Sequence, residues 1–274
     1  SIAVSQVPGL TQPPHPGDTI IAMSNLRADL LAEMGRIVRD PARRVFALAD
    51  GARFDDLPGA LAAAGISGRS LYRNVQDAEL VRAGPWLIDP YRLPDAGMNA
   101  WGGYPSAEEA GEEAAVAADT RAALNEPPQL ASFDGAAPAA DPGRQMEALV
   151  QLIGDLPAAV FWIGDADLSE PALWRHLRTL NMVLIPKEYD APDAPPPAGG
   201  EETHEAMMFR HGDGNVLAEV LPALDAAQFS RVFGPARTLM FLAPDHPGCD
   251  GSPLRRAALP DDAPPAPPGL LKLS

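Results

Sequence analysis

Four groups of side chains carry residue types and spacings from which chemistry could be built. His204, His211 and Asp213 fall in or beside one turn and offer two imidazoles and a carboxylate, the donor types of a transition-metal site. Such a site needs three or four converging ligands, and no further His or Cys supports this set, so the three read as polar loop residues. Cys249 lies between His246 and Asp250, the composition of a thiol with a base and an orienting acid. It sits in Pro247-Gly248-Cys249-Asp250-Gly251, whereas an activated thiol needs a rigid setting; it reads as an incidental surface thiol. Gly164-Asp165 ends an apolar run before a helical pattern, where a helix N-terminus could hold an anion. The glycine repeats of a phosphate loop are missing, Asp165, Asp167 and Glu170 repel phosphate, and capping alone accounts for Ser169 and Glu170. The fourth group, Arg178, Arg210 and Asp213, is placed by its neighbours beside predicted strands. These residues suit an ion-pair network that fixes a turn, or recognition of a partner's backbone or carboxylate. The structural role is the favoured one.

The block that must position most of these residues runs from Ala206 to Asp245. Met207-Met208-Phe209 is an apolar strand that Arg210 and His211 end, and His211-Gly212-Asp213-Gly214-Asn215 has the composition of a turn that tolerates positive φ. A short helix from Val216 ends near Leu221-Pro222. Asp225 then caps Ala226 to Phe233, where Phe229, Val232 and Phe233 recur at helical spacing. Gly234-Pro235 stops that helix, and Arg237 to Leu242 is a closing apolar strand. Met207, Met208, Phe229 and Phe233 are read as core, and any that face outward would be adaptable contacts for an apolar partner.

The rest of the chain divides by composition. Residues 1–20 carry prolines without periodicity and read as an extended arm. Within 21–95 a helix is predicted with Leu26, Leu30, Met34, Ile37 and Val38 on one face, followed by strands at Val45–Ala49, Ser70–Tyr72 and Pro85–Asp89 that alternate with short helices. Residues 96–145 are rich in Pro, Ala and acidic side chains and read as an insertion or linker, with a capping box at Ser106-Ala107-Glu108-Glu109. A helix at Met146–Ile153, a strand at Ala158–Ile163, a helix with Leu173, Trp174, Leu177 and Leu180, and a strand at Met182–Pro186 open a second lobe, 146–245. The Pro-rich stretch Asp190–Gly200 is a loop, and 246–274 a Pro-rich tail. The expected fold is α/β in two lobes, each a small mixed sheet with short flanking helices, joined by the irregular bridge.

Composition narrows the class. A hydrophobic share of 46% over 274 residues allows a real core. A net charge of −16 repels phosphates and anionic lipid, so neither nucleic acid nor a membrane surface is an expected partner; a basic or neutral protein is. The single cysteine excludes an internal disulfide. No apolar run approaches the ~20 residues that span a bilayer, and no basic-then-apolar leader opens the chain, so a bacterial cytoplasm is the expected location.

Several short motifs, taken in order, carry a family resemblance. They are Asp50-Gly51-Ala52, Ser70-Leu71-Tyr72, Gly84-Pro85-Trp86-Leu87, Arg175-His176-Leu177-Arg178, Phe209-Arg210 with Asp213 in the turn, Leu221-Pro222-Ala223-Leu224, Gln228-Phe229 and Phe233-Gly234-Pro235. This order resembles the effector chaperones (adaptors) of bacterial type VI secretion, which carry a domain of formerly unknown function. That family's turn usually reads Phe-Tyr-Asp-Pro-Arg after the arginine; here only the Asp of His211-Gly212-Asp213-Gly214-Asn215 aligns. The resemblance implies a cytoplasmic protein, not an enzyme and without cofactor or metal. It would bind a cognate secreted effector (a toxin), keep it soluble and promote its loading on the valine-glycine-repeat (VgrG) spike protein. It marks Arg178, Arg210, Asp213, Phe229, Phe233, Gly234 and Pro235 as motif or partner-binding positions. Two other readings stand beside it: a small-molecule hydrolase or transferase with a cleft near Asp165 and His211-Asp213, and a structural protein of the secretion baseplate.

Overall fold

A computed structural model describes residues 16–72, 77–93, 140–186, 204–247, 253–266 and 270–273, with side chains from Arg27 onward. In chain order the elements are α1 (Pro16–Val38), β1 (Arg43–Asp50), α2 (Leu57–Ala63), β2 (Gly68–Ser70), α3 (Ala78–Ala83), β3 (Pro85–Ile88), α4 (Pro142–Ile153), β4 (Ala159–Asp165) and α5 (Glu170–Arg178). There follow β5 (Met182–Pro186), β6 (His204–Met208), α6 (Gly214–Val220), α7 (Ala226–Phe233), β7 (Thr238–Leu242), β8 (Leu254–Ala258) and β9 (Leu271–Lys272). The bridge's capping box and the Asp190–Gly200 loop lie outside the described residues.

The α/β class holds, with two sheets. The larger is six-stranded and antiparallel, in the order β2-β3-β1-β4-β7-β8; the smaller is mixed, in the order β6-β5-β9. Membership does not follow the division at the bridge. β1, from before it, pairs with β4, from after it, over Arg43↔Asp165 to Ala49↔Ala159, so the two halves of the chain share one sheet. The central strands are apolar on both faces because both faces are covered. Val45, Ala47 and Ala49 of β1 and Phe161 and Ile163 of β4 meet Leu30, Met34 and Ile37 of α1 and Met146, Leu149 and Ile153 of α4. Phe46, Leu48, Val160 and Trp162 meet Leu173, Trp174 and Leu177 of α5, Leu217 of α6, Val232 and Phe233 of α7, and Val183 of β5.

Three expectations change. α1 begins at Pro16, inside the stretch read as an extended arm; proline is tolerated in a first helical turn because its missing N–H needs no partner there. The Pro-rich tail supplies a strand to each sheet: β8 pairs with β7, and β9 lies parallel to β5. Its prolines hid strands too short to show a period. The glycines of the His211–Asn215 turn do not take positive φ; among the described residues only Gly65, Gly154 and Gly234 do. They are small for packing instead, since a Cβ on Gly214 would lie 2.0 Å from the Leu242 carbonyl oxygen, and one on Gly212 would lie 3.2 Å from the Asp50 nitrogen.

Candidate functional site: an ion-pair cluster beside an apolar cleft

The end of β1 and the turn after β6 are 160 residues apart in sequence and meet in space. Asp50 closes β1, and its Oδ1 accepts from the Ala52 amide, holding the 3-10 turn Gly51–Arg53. Asp213 closes the turn and caps α6, its Oδ1 accepting from Asn215 N at 3.0 Å. Both carboxylates are buried, and each takes an arginine from the other segment. Arg210 donates from Nε (3.1 Å) and Nη2 to Asp50 Oδ2, while Arg53 donates from Nε (3.2 Å) and Nη2 (2.5 Å) to Asp213 Oδ2. Arg210 also stands 3.5 Å from Asp213. The bond to Asp213 holds the Arg53 guanidinium above its ordinary pKa. Two cations and two anions thus neutralise one another across a seam between distant segments. Main-chain bonds reinforce it, Asp50 N to Ala158 O and Gly214 N to Pro157 O, both 2.9 Å.

Arg210 and Asp213 therefore belong together, as the sequence suggested. Arg178 is placed elsewhere, at the last turn of α5, with its guanidinium 4.6 Å from the centre of the Trp174 ring, over which Arg69 also lies at 3.7 Å. Trp174 donates its indole N–H to the Ser70 carbonyl, so this stack joins α5 to β2. Phe233 is fully buried and Phe229 half-buried against it, with ring centroids 4.7 Å apart, so Phe233 offers no surface to a partner. Gly234 ends α7 at φ +53°, and a Cβ there would lie 2.4 Å from the His176 ring, whose Nε2 bonds the Val232 carbonyl at 3.0 Å. That contact locks the Gly234-Pro235 stop to the His176-Leu177-Arg178 segment; Pro235 itself is exposed. Sequence reasoning passed over Arg53. Its signal was faint, a cation one residue beyond Asp50-Gly51-Ala52, and only the fold reveals the carboxylate it meets.

The other candidates disperse. Asp165 is exposed and pairs with Arg237 at 3.7 Å at the end of β4 beside Arg43. The His211–Asp213 turn lies at the opposite end, by Pro157, roughly 20 Å away at the rise of a β-strand. The two stretches therefore do not line one cleft. Ser169 precedes α5 without making a capping side-chain bond, and Glu170 pairs with Arg69 at 3.3 Å, so capping is not the role of either side chain. Among the described residues no three His, Cys, Asp or Glu side chains converge as metal ligands. Cys249 and Asp250 lie outside the described residues, while His246 sits 3.3 Å from Glu219.

His211 is fully buried, stacked on Phe209, its Nδ1 bonded to the Phe209 carbonyl at 2.9 Å and its Nε2 without a partner among the described residues. Burial pushes its pKa down from 6.5 to about 4, against the opposing pull of that carbonyl. Between those values the unfolded chain holds a proton that the native chain does not, so stability falls as the pH drops through the window and levels off below it for this group. The whole window is worth on the order of 3 kcal/mol. Denaturant melts across it should show this slope, and His211→Asn should flatten it. Part of the slope should persist through His176, whose pKa burial also lowers.

An apolar cleft of about 160 Å³ borders the cluster, lined by Tyr72, Leu80, Pro85, Met208 and Phe209, with Asp50 and Arg210 on its wall. What the arrangement offers chemically is a rigid polar seam whose charges are satisfied internally, next to a shallow apolar surface.

These features sit in a chain that matches one known family model. The family is the domain of unknown function DUF4123, matched over residues 45–231, more than half the chain, and the protein belongs to it. The matched span contains the whole ion-pair cluster and the cleft. No match to the chain is found among curated proteins or solved structures. No described helix is long and apolar enough to cross a membrane.

Proposed function

We propose that this protein is a bacterial cytoplasmic chaperone or adaptor that binds a cognate type VI secretion effector, keeps it in a loading-competent form and promotes its transfer to the VgrG spike. The observation that supports this reading is the meeting of two motif segments, Asp50-Gly51-Ala52 and Arg210 to Asp213, in one cluster whose four charges are spent on each other. Such a seam builds a platform, and the exposed apolar surface beside it suits a polypeptide partner. The ordered motifs that resemble the effector chaperones fall almost entirely within the DUF4123 match. Binding then acts by mass action: a partner held only in one form has that form stabilised by RT ln(1 + [L]/Kd). No nucleotide hydrolysis is required.

The test is co-expression of the tagged chain with the toxin and the spike protein encoded beside its gene, followed by pull-down. Retention of one toxin, together with the spike, is the expected result; failure to retain any neighbouring toxin ends the proposal, and recovery of several apparatus subunits without a toxin favours a baseplate part. Arg210→Ala divides the roles of the cluster. The structural role predicts that melting temperature and toxin binding fall together, and lost binding at unchanged melting temperature would show that Arg210 recognises the partner directly.

A further inference from the structure

The small sheet ends in an edge strand of unusual character. Among the described residues β6 pairs only with β5, and its burial pattern is exposed along most of its length, with Met207 49% and Met208 51% accessible. The ladder shows which of its backbone groups are open. Phe209 N donates to Asn181 O, so the pairs Asn181–Phe209, Val183–Met207 and Ile185–Glu205 exchange hydrogen bonds within the sheet. Ala206 and Met208, between them, turn their N–H and C=O groups away from β5. Edge strands are ordinarily guarded by Lys, Arg, Pro or brevity. β8 carries Arg255 and Arg256, β2 has three residues with Arg69 at its centre, and β9 has two residues. β6 carries no cation other than what His204 can supply, and two adjacent methionines instead.

The side chains continue the pattern. Met208 shares a face with its register partner Met182, which is also exposed, and the Tyr72 hydroxyl reaches the Met208 sulfur at 3.4 Å. Beyond them opens the 160 Å³ cleft, with exposed Leu80 at its rim. Charge selects the occupant. Among the described residues, α3, whose Leu80 lines the cleft, carries exposed Glu79 and the exposed N-cap Asp77 against half-buried Arg82, and the guanidinium of Arg210 is already taken by Asp50 and Asp213. The whole chain adds a net charge of −16.

We propose that β6 and the adjoining cleft are a docking surface for an extended, basic and apolar segment of another polypeptide, which adds a strand to the small sheet and seats an apolar side chain between Tyr72, Leu80 and Met208. Main-chain bonds to Ala206 and Met208 supply affinity, the cleft selects an aliphatic or aromatic side chain, and the acidic rim selects flanking Lys or Arg. Methionines let the pocket adapt to the particular side chain. This deepens the proposed function by naming where the effector docks, and rests on it for the effector's identity alone.

The test uses the full chain and two labelled ten-residue peptides, one alternating Leu and Lys, the other Leu and Glu, followed by fluorescence anisotropy. Two variants are compared with the parent after circular dichroism confirms their folding: Ala206→Pro, which deletes one outward N–H without touching the β5 ladder, and Met208→Lys, which places a charge at an exposed position. The Leu/Lys peptide should bind the parent at least about tenfold more tightly than the Leu/Glu peptide and lose about tenfold to each variant, the equivalent of one missing bond or contact. Equal binding to parent and both variants would mean diffuse attraction to the acidic chain and overturns the proposal. So does a concentration-dependent dimer that Ala206→Pro dissolves, which would assign the edge to a second copy of this chain. With the toxin as probe the two proposals separate: toxin retained by the parent and equally by both variants removes this surface but leaves the chaperone, whereas toxin not retained by the parent removes the chaperone and leaves the peptide result to judge the surface.

Discussion

Asp213→Ala is expected to cost about 3 kcal/mol of folding stability, seen as a drop of roughly 6–12 °C in melting temperature for a domain of this size. Two losses add. The carboxylate is the N-cap of α6, worth about 1 kcal/mol. It is also the buried partner of Arg53, and removing one member of a buried pair costs roughly 3–5 kcal/mol when the survivor is trapped. Here Arg53 is one-third exposed and can turn to water, so the pair's share is smaller, about 2 kcal/mol. Asp213→Asn separates the two, because the amide oxygen still caps while the charge is gone; about two-thirds of the loss should remain. A cycle with Arg53→Met should then show coupling of about 1–2 kcal/mol. If Asp213→Ala melts within about 2 °C of the parent, the cluster is not what ties the two segments together.

Gly51→Ala should be more damaging still. A Cβ on Gly51 would lie 2.1 Å from the Arg82 carbonyl oxygen and 2.6 Å from that of Gly84, and both are main-chain atoms that cannot step aside. The Gly51 amide also bonds the Gly84 carbonyl at 3.0 Å, so separating the segments forfeits that bond as well. Overpacking against backbone at a buried site is expected to cost on the order of 3–5 kcal/mol, enough to leave much of the chain insoluble. Gly35→Ala is the contrasting control. In α1 the nearest atoms to its Cβ belong to the flexible Arg39 guanidinium at 3.7 Å, so the exchange should stabilise by about 0.5–1 kcal/mol through helix propensity. Equal melting of the Gly51 variant and the parent would show that the β1 turn can move away from α3.

The same glycine illustrates how a motif can be visible before its reason is. Asp50-Gly51-Ala52 stood out as a strand ending in turn residues, but neither the requirement for no side chain at Gly51 nor the partner of Asp50 was local. The apolar runs at Val45–Ala49 and Ala158–Ile163 announced buried strands, and the spacing of Leu173, Trp174 and Leu177 announced the stripe of α5. The pairing of β1 with β4 was not announced, because strands buried on both faces look alike and register depends on partners far along the chain. Arg53 escaped notice for a related reason: a lone cation beside a turn is ordinary until a buried carboxylate is set opposite it.

By itself the sequence determined the α/β class, the positions of most elements, the cap at Asp225, and the motifs that carry a resemblance to the effector chaperones. These are local properties, written in hydrophobic period and in side chains that bond their own backbone within three residues. Tertiary structure alone decided that the two halves share one sheet, that the tail adds a strand to each sheet, that Arg210 and Arg53 exchange carboxylates across the seam, and that β6 has β5 as its one strand neighbour among the described residues, beside a cleft. Each of those depends on atoms separated by tens to hundreds of residues, whose meeting is fixed by packing over the whole chain and leaves no mark at any one position.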